Sequence, residues 1–155
     1  MNCSNCAAPM RLVPGGDHFV CDFCGSFHFP EKSQDGVRVI GEPGERPCPV
    51  CRQPLVAAVI ERIPVEHCPQ CRGVLADRRS FNRIIRQLRA RHAGPRLDPI
   101  PIDAAARQRQ LDCPGCGQEL EVHPYYGPGN VLLDSCGGCG LVWLDHGEIA
   151  TISRS

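Results

Sequence analysis

The chain has 155 residues, a formal net charge of zero at neutral pH and only 5% aromatic residues. Fifteen prolines and sixteen glycines argue against one continuous hydrophobic core and favour several small units. The balanced charge excludes a generally basic surface, so nucleic-acid binding would have to rest on a local patch. The twelve cysteines form either a disulfide framework or a set of metal ligands.

The beginning of the chain decides between these two uses of cysteine. The first six residues, MNCSNC, contain neither the charged start nor the apolar run of an export signal. The longest apolar run, residues 55–60, is far shorter than the roughly 20 residues that cross a bilayer. We therefore expect a cytoplasmic protein without membrane contact, whose reduced thiols favour metal binding over disulfides.

All twelve cysteines fall into six C-x-x-C pairs, and two kinds of pair alternate along the chain. The first, third and fifth pairs place a long apolar side chain four residues after the second cysteine, at Met10, Leu55 and Leu120. The fourth and sixth pairs continue differently, since residues 71–77 (CRGVLAD) align without gaps on residues 139–145 (CGLVWLD). The alternation indicates an internal repeat in which two neighbouring pairs form one site.

Two neighbouring C-x-x-C turns have the spacing of a zinc ribbon, in which four thiolates close a tetrahedral site. Between the turns lie 14, 16 and 19 residues, enough for two or three short strands. We therefore predict three four-cysteine sites and three Zn²⁺ ions per chain, which would bring the net charge to about −6. The predicted metal ligands are Cys3, Cys6, Cys21, Cys24, Cys48, Cys51, Cys68, Cys71, Cys113, Cys116, Cys136 and Cys139.

Glycine follows the second cysteine in three of the six pairs, where a positive φ is often required. These glycines are Gly25, Gly117 and Gly140. The other three pairs have Ala7, Arg52 and Arg72 at this position and do not fit the pattern.

The first predicted ribbon covers residues 1–30, with a strand at 17–20 before its second cysteine pair. Residues 31–46 follow as a linker, because they are rich in proline, glycine and other turn residues. Within this linker a short strand is predicted at 37–40.

The second predicted ribbon covers residues 47–92 and ends in the longest predicted helix, at 77–91. A strand at 59–66 precedes its second cysteine pair, and we expect the adjacent His67 to be a solvated strand residue rather than a metal ligand. The helix is amphipathic because apolar residues recur with a helical period at positions 81, 84, 85 and 88. Asp77 stands where it can cap the first N–H groups.

The same helix carries six arginines and no acid after Asp77. These candidate partner-binding residues are Arg78, Arg79, Arg83, Arg86, Arg89 and Arg91. Such a set can grip phosphates or an acidic protein surface. It can equally form a solvated face that offsets the nearby thiolate charge, and both interpretations stay open.

A second linker, residues 93–111, begins as a proline-rich loop and ends in a short helix at 103–111 that Asp103 would cap. Linkers of this kind let the ribbons pivot, unless Ile100, Ile102 and the apolar stripe around Phe81 dock them together.

The third predicted ribbon covers residues 112–155, with a strand at 130–134 and a short C-terminal helix. Trp143 occupies the repeat position of Leu75, which favours a packing role beside the metal. Asp145 corresponds to Asp77 and is expected to cap the C-terminal helix, with Glu148 completing a capping box. His146 corresponds to an arginine in the second ribbon, so we do not expect it to bind metal.

The third ribbon resembles the transcription-factor-IIB-type zinc ribbons of small prokaryotic proteins. Their pattern of C-P-x-C-x-x-x-L, then C-P-x-C-x-G-x-W-L-D-x-G-E-L, is similar to CPGCGQEL from Cys113 and CGGCGLVWLDHGEI from Cys136. The second ribbon keeps both cysteine pairs with Gly73 and Asp77, but lacks the tryptophan and the Gly-Glu pair. The first keeps little beyond its cysteines. The resemblance implies a small α+β fold of three tandem ribbons and assigns no activity.

These observations predict a non-enzymatic protein that presents three structural zinc ribbons to a macromolecular partner, either protein or nucleic acid. No catalytic residues are predicted, because four thiolates close each site and leave no open metal position. The alternative function is metal-linked or thiol-linked redox work, with rubredoxin-like iron in the four-cysteine sites or zinc acting as a redox-responsive switch.

Overall fold

A computed structural model describes residues 1–99, 101–102 and 104–155 of the chain. Within these ranges the strands form two antiparallel sheets, one of three strands and one of seven. No helix in the same ranges is long and apolar enough to cross a membrane. The small sheet has the order β1-β2-β3, with β1 at Arg11–Leu12, β2 at Phe19–Val20 and β3 at Phe27–His28.

The second and third cysteine-rich segments share the larger sheet, which has the order β4-β5-β6-β7-β10-β9-β8. Its strands are β4 (Val37–Pro47), β5 (Pro54–Ile60), β6 (Ile63–His67), β7 (Val74–Asp77), β8 (Glu121–Pro124), β9 (Leu132–Ser135) and β10 (Leu141–Leu144). The helices are α1 (Arg78–Arg91), α2 (Ala104–Arg107) and α3 (Glu148–Arg154). The elements β5-β6-β7-α1 and β8-β9-β10-α3 are therefore two copies of one unit.

The two copies meet where β7 pairs with β10 in antiparallel register. Leu75 lies opposite Trp143, the residue that occupies the same position in the repeat. Val74 faces Leu144 and Ala76 faces Val142, so the register is symmetric about the Leu75–Trp143 pair. An approximate two-fold axis therefore passes through this junction. Because the two units share one sheet, they do not pivot about the linker between them.

Alternation along the central strands separates two cores, one on each face of the sheet. On one face, Val74 and Val142 pack with the buried side of α1 and with Ile149 and Ile152 of α3. On the other face, Leu75 and Trp143 pack among the cysteines of both units. Helices therefore cover one face of the sheet, and the cysteine clusters lie against the other.

A close contact across the junction breaks the symmetry of the two copies. The Trp143 ring is fully buried and lies over Gly73, where an added β-carbon would come within 2.2 Å of its Cζ2 atom. The equivalent position in the other copy is Leu141, which is partly buried on the same cluster. Glycine at position 73 is therefore required by the tryptophan of the other unit.

The segment predicted as a linker, residues 31–46, is instead largely a strand. β4 spans Val37–Pro47 and pairs with β5 along the edge of the large sheet. The prediction of a short strand at 37–40 was too short because Pro43 and Pro47 argued against continuation. An edge strand tolerates proline, and the register shifts near Pro43 accommodate it.

Asp35, at the start of the same segment, caps α3. Its carboxylate accepts hydrogen bonds from the backbone N–H groups of Gly147 (2.7 Å) and Ala150 (2.9 Å), and the residue is only 2% exposed. Gly147, the N-cap residue of α3, has no side chain that could accept these hydrogen bonds. Residues before the second ribbon therefore hold the helix of the third.

The predicted strand at 59–66 contains a hairpin turn. Glu61 and Arg62 both have positive φ, at 50° and 66°, between the paired residues Ile60 and Ile63. This is the conformation of a two-residue type I′ turn, which Asn-Gly normally announces. The turn escaped prediction because neither of its residues is typical of it.

The structure confirms the predicted cap of α1 but shortens the helix predicted in the second linker. Asp77 caps α1 as predicted, accepting from the N–H groups of Arg79 and Ser80. The helix predicted at 103–111 is only four residues long, Ala104–Arg107. Leu111, which the prediction placed in this helix, lies beyond its end and is buried in the core beside the cysteines. The predicted cap Asp103 and the predicted docking residue Ile100 lie outside the described residues, and Ile102 is exposed.

Replacing Asp35 by alanine should lower the free energy of unfolding by about 1 to 2 kcal/mol, because two buried N–H groups lose their acceptor. Urea unfolding of the metal-loaded protein measures this change. The control is Asp98→Ala, which removes an exposed carboxylate and should change the value by less than about 0.5 kcal/mol.

Gly73→Ala should destabilise the protein by about 1 to 3 kcal/mol or more, because the added methyl group overlaps the Trp143 ring. The matched control is Gly137→Ala, since a β-carbon at Gly137 meets nothing within 4 Å. Thermal unfolding of the two variants should differ clearly. Equal stability would contradict the packing described for the junction.

Candidate metal centres

All six C-x-x-C pairs form the same tight turn. The N–H group of the first cysteine donates to the carbonyl five residues later, and the residue after the second cysteine donates back, as in Cys68 N to Gly73 O and Arg72 N to Cys68 O. In the six turns these bonds measure 2.7 to 3.0 Å. The turn brings its two cysteine side chains to one side of the chain.

The residue after the second cysteine is left-handed in every turn. Its φ is 73°, 74° and 67° at Gly25, Gly117 and Gly140, and 59°, 64° and 63° at Ala7, Arg52 and Arg72. The last three residues are not glycine and therefore do not fit the sequence pattern, but they adopt the same backbone conformation. The returning hydrogen bond imposes the conformation, although it costs roughly 1 kcal/mol or more for a residue with a β-carbon.

The turns combine into three groups of four cysteines, each made of one neighbouring pair of turns. Within each group the four sulfurs lie within 4.8 Å of one another. The groups are Cys3, Cys6, Cys21 and Cys24; Cys48, Cys51, Cys68 and Cys71; and Cys113, Cys116, Cys136 and Cys139. We call them the first, second and third cages.

The sulfur separations fit a tetrahedral ion and not a disulfide. Cys48 and Cys71 are 3.5 Å apart, Cys51 and Cys68 3.4 Å, and Cys116 and Cys136 3.6 Å. Four sulfurs at about 2.3 Å from a zinc ion would be about 3.8 Å from one another, whereas a disulfide requires about 2.05 Å. All twelve cysteines are free thiols, so the donor set has the chemistry and nearly the dimensions of a Zn²⁺ site.

Backbone N–H groups point at the first sulfur in five of the six turns, at 3.3 to 3.5 Å. Hydrogen bonds of this kind stabilise a thiolate. Each cage also holds one cysteine whose pKa lies well below the ordinary value: the Ser26 hydroxyl lowers that of Cys24 to about 5. Backbone N–H groups lower the pKa values of Cys51 and Cys136 to about 7. These hydrogen bonds favour the thiolate form, which is the form that a metal ion binds.

The cages differ in how far they are enclosed. In the second cage Cys48 and Cys68 are fully buried and the other two cysteines are partly buried. In the first and third cages the second cysteine of each turn is exposed; these residues are Cys6, Cys24, Cys116 and Cys139. The second cage is therefore the most protected of the three.

His67 and His146 belong to none of the three cysteine groups. His67 was expected to be solvated, but it is 7% exposed because β6 is an inner strand. Burial lowers its pKa, so the ring is neutral at physiological pH. The Nδ1 atom of His146 lies 3.4 Å from the Asp35 carboxylate. Among the described residues, each cage therefore offers sulfur ligands alone.

Asp145 does not cap α3 as predicted. Its carboxylate accepts from the indole N–H of Trp143 at 3.0 Å and from Arg109 at 2.5 Å. Glu148 does reach back, as predicted, to the backbone N–H of Asp145 at 2.8 Å. Half of the capping box is thus present, and Asp35 supplies the other half from outside the third ribbon.

Arg109 ties the second linker to the third ribbon. Its guanidinium bridges Asp145 and the buried Asp134, which is 3% exposed along its side chain. Burial raises the pKa of Asp134 and raises that of neighbouring Glu148 to about 8. Arg109 is therefore a structural counter-charge within an acidic cluster next to the tryptophan.

The structure divides the six candidate partner-binding arginines into two groups. Arg89 donates to the carbonyl of Ile152 at the end of α3 (2.9 and 3.2 Å), and Arg91 pairs with Glu61. The other four are exposed, and within the described ranges no carboxylate pairs with them. These four are Arg78, Arg79, Arg83 and Arg86.

The roles of three residues that organise the site were not predicted from the sequence. The role of Gly73 could have been predicted, because the repeat aligns Gly73 with the larger Leu141 and aligns Leu75 with the larger Trp143. Asp35 and Arg109 carry no comparable pattern, since each lies in an apparent linker and acts on a residue far away in sequence.

A family model described as "Transcription factor zinc-finger" matches residues 47–87 and 112–154. The two matches coincide with the two units that pair in the large sheet, and each contains one complete cage. Residues 1–30 lie outside both matches, although the first cage has the same turns. No curated protein and no solved structure matches the chain. Because the two matched segments cover more than half of the 155 residues, the chain belongs to the transcription-factor-IIB-type zinc-ribbon family.

Proposed function

We propose that this protein is a non-enzymatic interaction module whose three cages each hold a structural zinc ion. The observation that carries the proposal is that every cage has four sulfurs in reach of one ion. Four protein ligands complete the coordination of Zn²⁺, whereas a catalytic zinc keeps a position for water or substrate. The protein acts in the reducing cytoplasm, where twelve thiols stay free for metal.

The dimensions of the cysteine-rich units support a structural role for the metal. The first unit has three strands of two residues each, and so small a unit cannot bury enough apolar surface to offset its chain entropy. Structural zinc contributes about 10 to 16 kcal/mol of apparent binding free energy, which is coupled to folding. The metal therefore serves to hold a surface in shape.

The surface best suited to a partner is the exposed face of α1. Arg79, Arg83 and Arg86 lie one helical turn apart on this face, and we call them the arginine stripe. α1 packs on the sheet face opposite the cages. The stripe is therefore separated from the thiolates by the sheet, which favours partner binding over charge compensation as its role.

A second candidate function is a redox-responsive zinc switch, with the first cage as its sensor. Cys24 is exposed, and the Ser26 hydroxyl, 3.1 Å from its sulfur, lowers its pKa to about 5. Accessible thiolates are the cysteines that oxidants attack first. In this alternative, oxidation would release zinc from the first cage and unfold the segment around it.

The purified protein should be colourless and contain three zinc equivalents by elemental analysis. A colorimetric chelator should take zinc from the first and third cages before the second, because the second cage is the most buried. Cys6→Ser should then leave two zinc ions and an intact large sheet. Red iron-containing protein, or fewer than three bound ions in the wild type, would contradict structural zinc.

Peroxide treatment separates the two candidate functions. If the protein is only an interaction module, zinc should remain bound at peroxide concentrations that oxidise a free thiol peptide. Early loss of one zinc equivalent, reversed by reductant, would favour the switch.

Affinity capture from native cytosol tests the arginine stripe. Replacing Arg79, Arg83 and Arg86 by glutamine should abolish recovery of the main partner, identified by mass spectrometry with and without nuclease. The control replaces Arg62, Arg96 and Arg107 by glutamine. These arginines are also exposed, so the control loses the same amount of positive charge. Both triple variants should keep three zinc ions. Equal recovery by the two would rule out the stripe as the binding surface.

A further inference from the structure

A groove of about 500 Å³ lies between the beginning of α1 and the strands β8 and β9. Its volume is within the range of small-ligand sites, about 300 to 1,000 Å³. It opens on the helix-covered face of the sheet, since Phe81, Leu133 and Val142 of that core form part of its lining. Its other walls carry the aromatic rings of His123, Tyr125 and Tyr126 and the side chains of Arg78, Glu121 and Ser135.

Two of the three aromatic rings are held in place by neighbours. Tyr125 meets Phe81 edge to face, with centroids 5.9 Å apart and planes at 85°, and the Arg89 guanidinium lies 5.7 Å from its centroid. The His123 Nε2 atom lies 2.9 Å from the Ser135 hydroxyl. The walls of the groove are therefore formed before any ligand arrives.

Tyr126 is the ring that the fold does not use. It is 92% exposed, and its plane lies within 18° of the His123 plane at a centroid distance of 6.4 Å. Buried packing does not account for a tyrosine in this position. Two near-parallel rings beside a groove present flat surfaces on which a planar group can stack.

The rim of the groove is positively charged. Arg78 lines it, and the arginine stripe continues from there along α1. The Asp77 carboxylate already accepts from the backbone N–H groups of Arg79 and Ser80, so an anion would be held by guanidinium groups rather than by the helix end. Glu121 is the acid of the groove, and it can accept a hydrogen bond from the amino group of a base.

We propose that this groove binds single-stranded nucleic acid, with a base stacked on Tyr126 and His123 and phosphates on Arg78 and the arginine stripe. The proposal rests on the interaction role proposed above and specifies its partner. Stacking platforms beside basic tracks are how proteins bind single strands without reading their sequence. An acidic protein would satisfy the arginines but would leave the two rings without a counterpart, and a duplex keeps its base faces covered.

Fluorescence anisotropy with a fluorescein-labelled strand of twelve thymidines tests the proposal on the zinc-loaded full chain. Tyr126→Ala should weaken binding about 5- to 150-fold, the range that one stacked base contributes. Tyr126→Phe, which keeps the ring, should bind like the wild type. Phe27→Ala, which removes another exposed ring on the first ribbon, should also leave binding unchanged.

Salt and backbone controls test the phosphate contacts. If four phosphates contact Arg78 and the stripe, raising the salt from 50 to 200 mM should weaken wild-type binding about 50-fold. In the triple glutamine variant of the stripe, the slope of log K against log salt should be smaller in magnitude by about two. An abasic strand of equal length should bind wild type and Tyr126→Ala equally, because it has no bases to stack.

Three results would overturn the proposal: no binding of the strand at 50 mM salt, equal binding by folded Tyr126→Ala, or binding of a matched duplex that is as tight as that of the strand. If the strand does not bind while the stripe variant still loses a nuclease-resistant protein partner, the groove proposal fails and the interaction module stands. If the wild type binds neither the strand nor a protein partner, or holds fewer than three metal ions, the interaction module itself is rejected.

Discussion

The pairing of β7 with β10 is the contact on which the rest of the structure depends. A three-stranded ribbon leaves both of its edge strands unpaired and one sheet face with little to cover it. Joining two ribbons through these edges gives one continuous sheet, with helices on one face and cysteine cages on the other. The register places Leu75 against Trp143, so both ribbons bury their central apolar residue at the same point.

The two ribbons have become complementary rather than identical. Trp143 fills the space left by Gly73, so the pair works only in this combination. Pairing of β7 with β7 of a second chain would set Leu75 against Leu75 and leave that space empty, which costs stability in proportion to the void. The asymmetry therefore favours pairing within one chain, and the first ribbon, which lacks these residues, remains outside the shared sheet.

Segments between the ribbons complete the assembly through buried charge. Asp35 caps the helix of the third ribbon, and Arg109 neutralises the acids beside Trp143. Breaking either contact would leave buried polar groups without a partner, because Asp35 and Asp134 are almost fully buried. These contacts hold α3 and, through Arg89, α1 in one orientation. The aromatic groove and the arginine stripe both include residues of α1, the helix that Arg89 joins to α3.

Local sequence was enough to predict the cysteine grouping, the repeat, the Asp77 cap and the helix at Arg78–Arg91, because each depends on residues close in the chain. The spacing of C-x-x-C pairs sets the turns, and the 3.6-residue period sets the buried stripe. Only the tertiary structure showed that the ribbons share a sheet, that β4 extends across two prolines, that His67 is buried, and that Asp35 rather than Asp145 caps α3. Strand edges, buried histidines and distant caps depend on which segments meet, and that choice comes from burial summed over the whole chain.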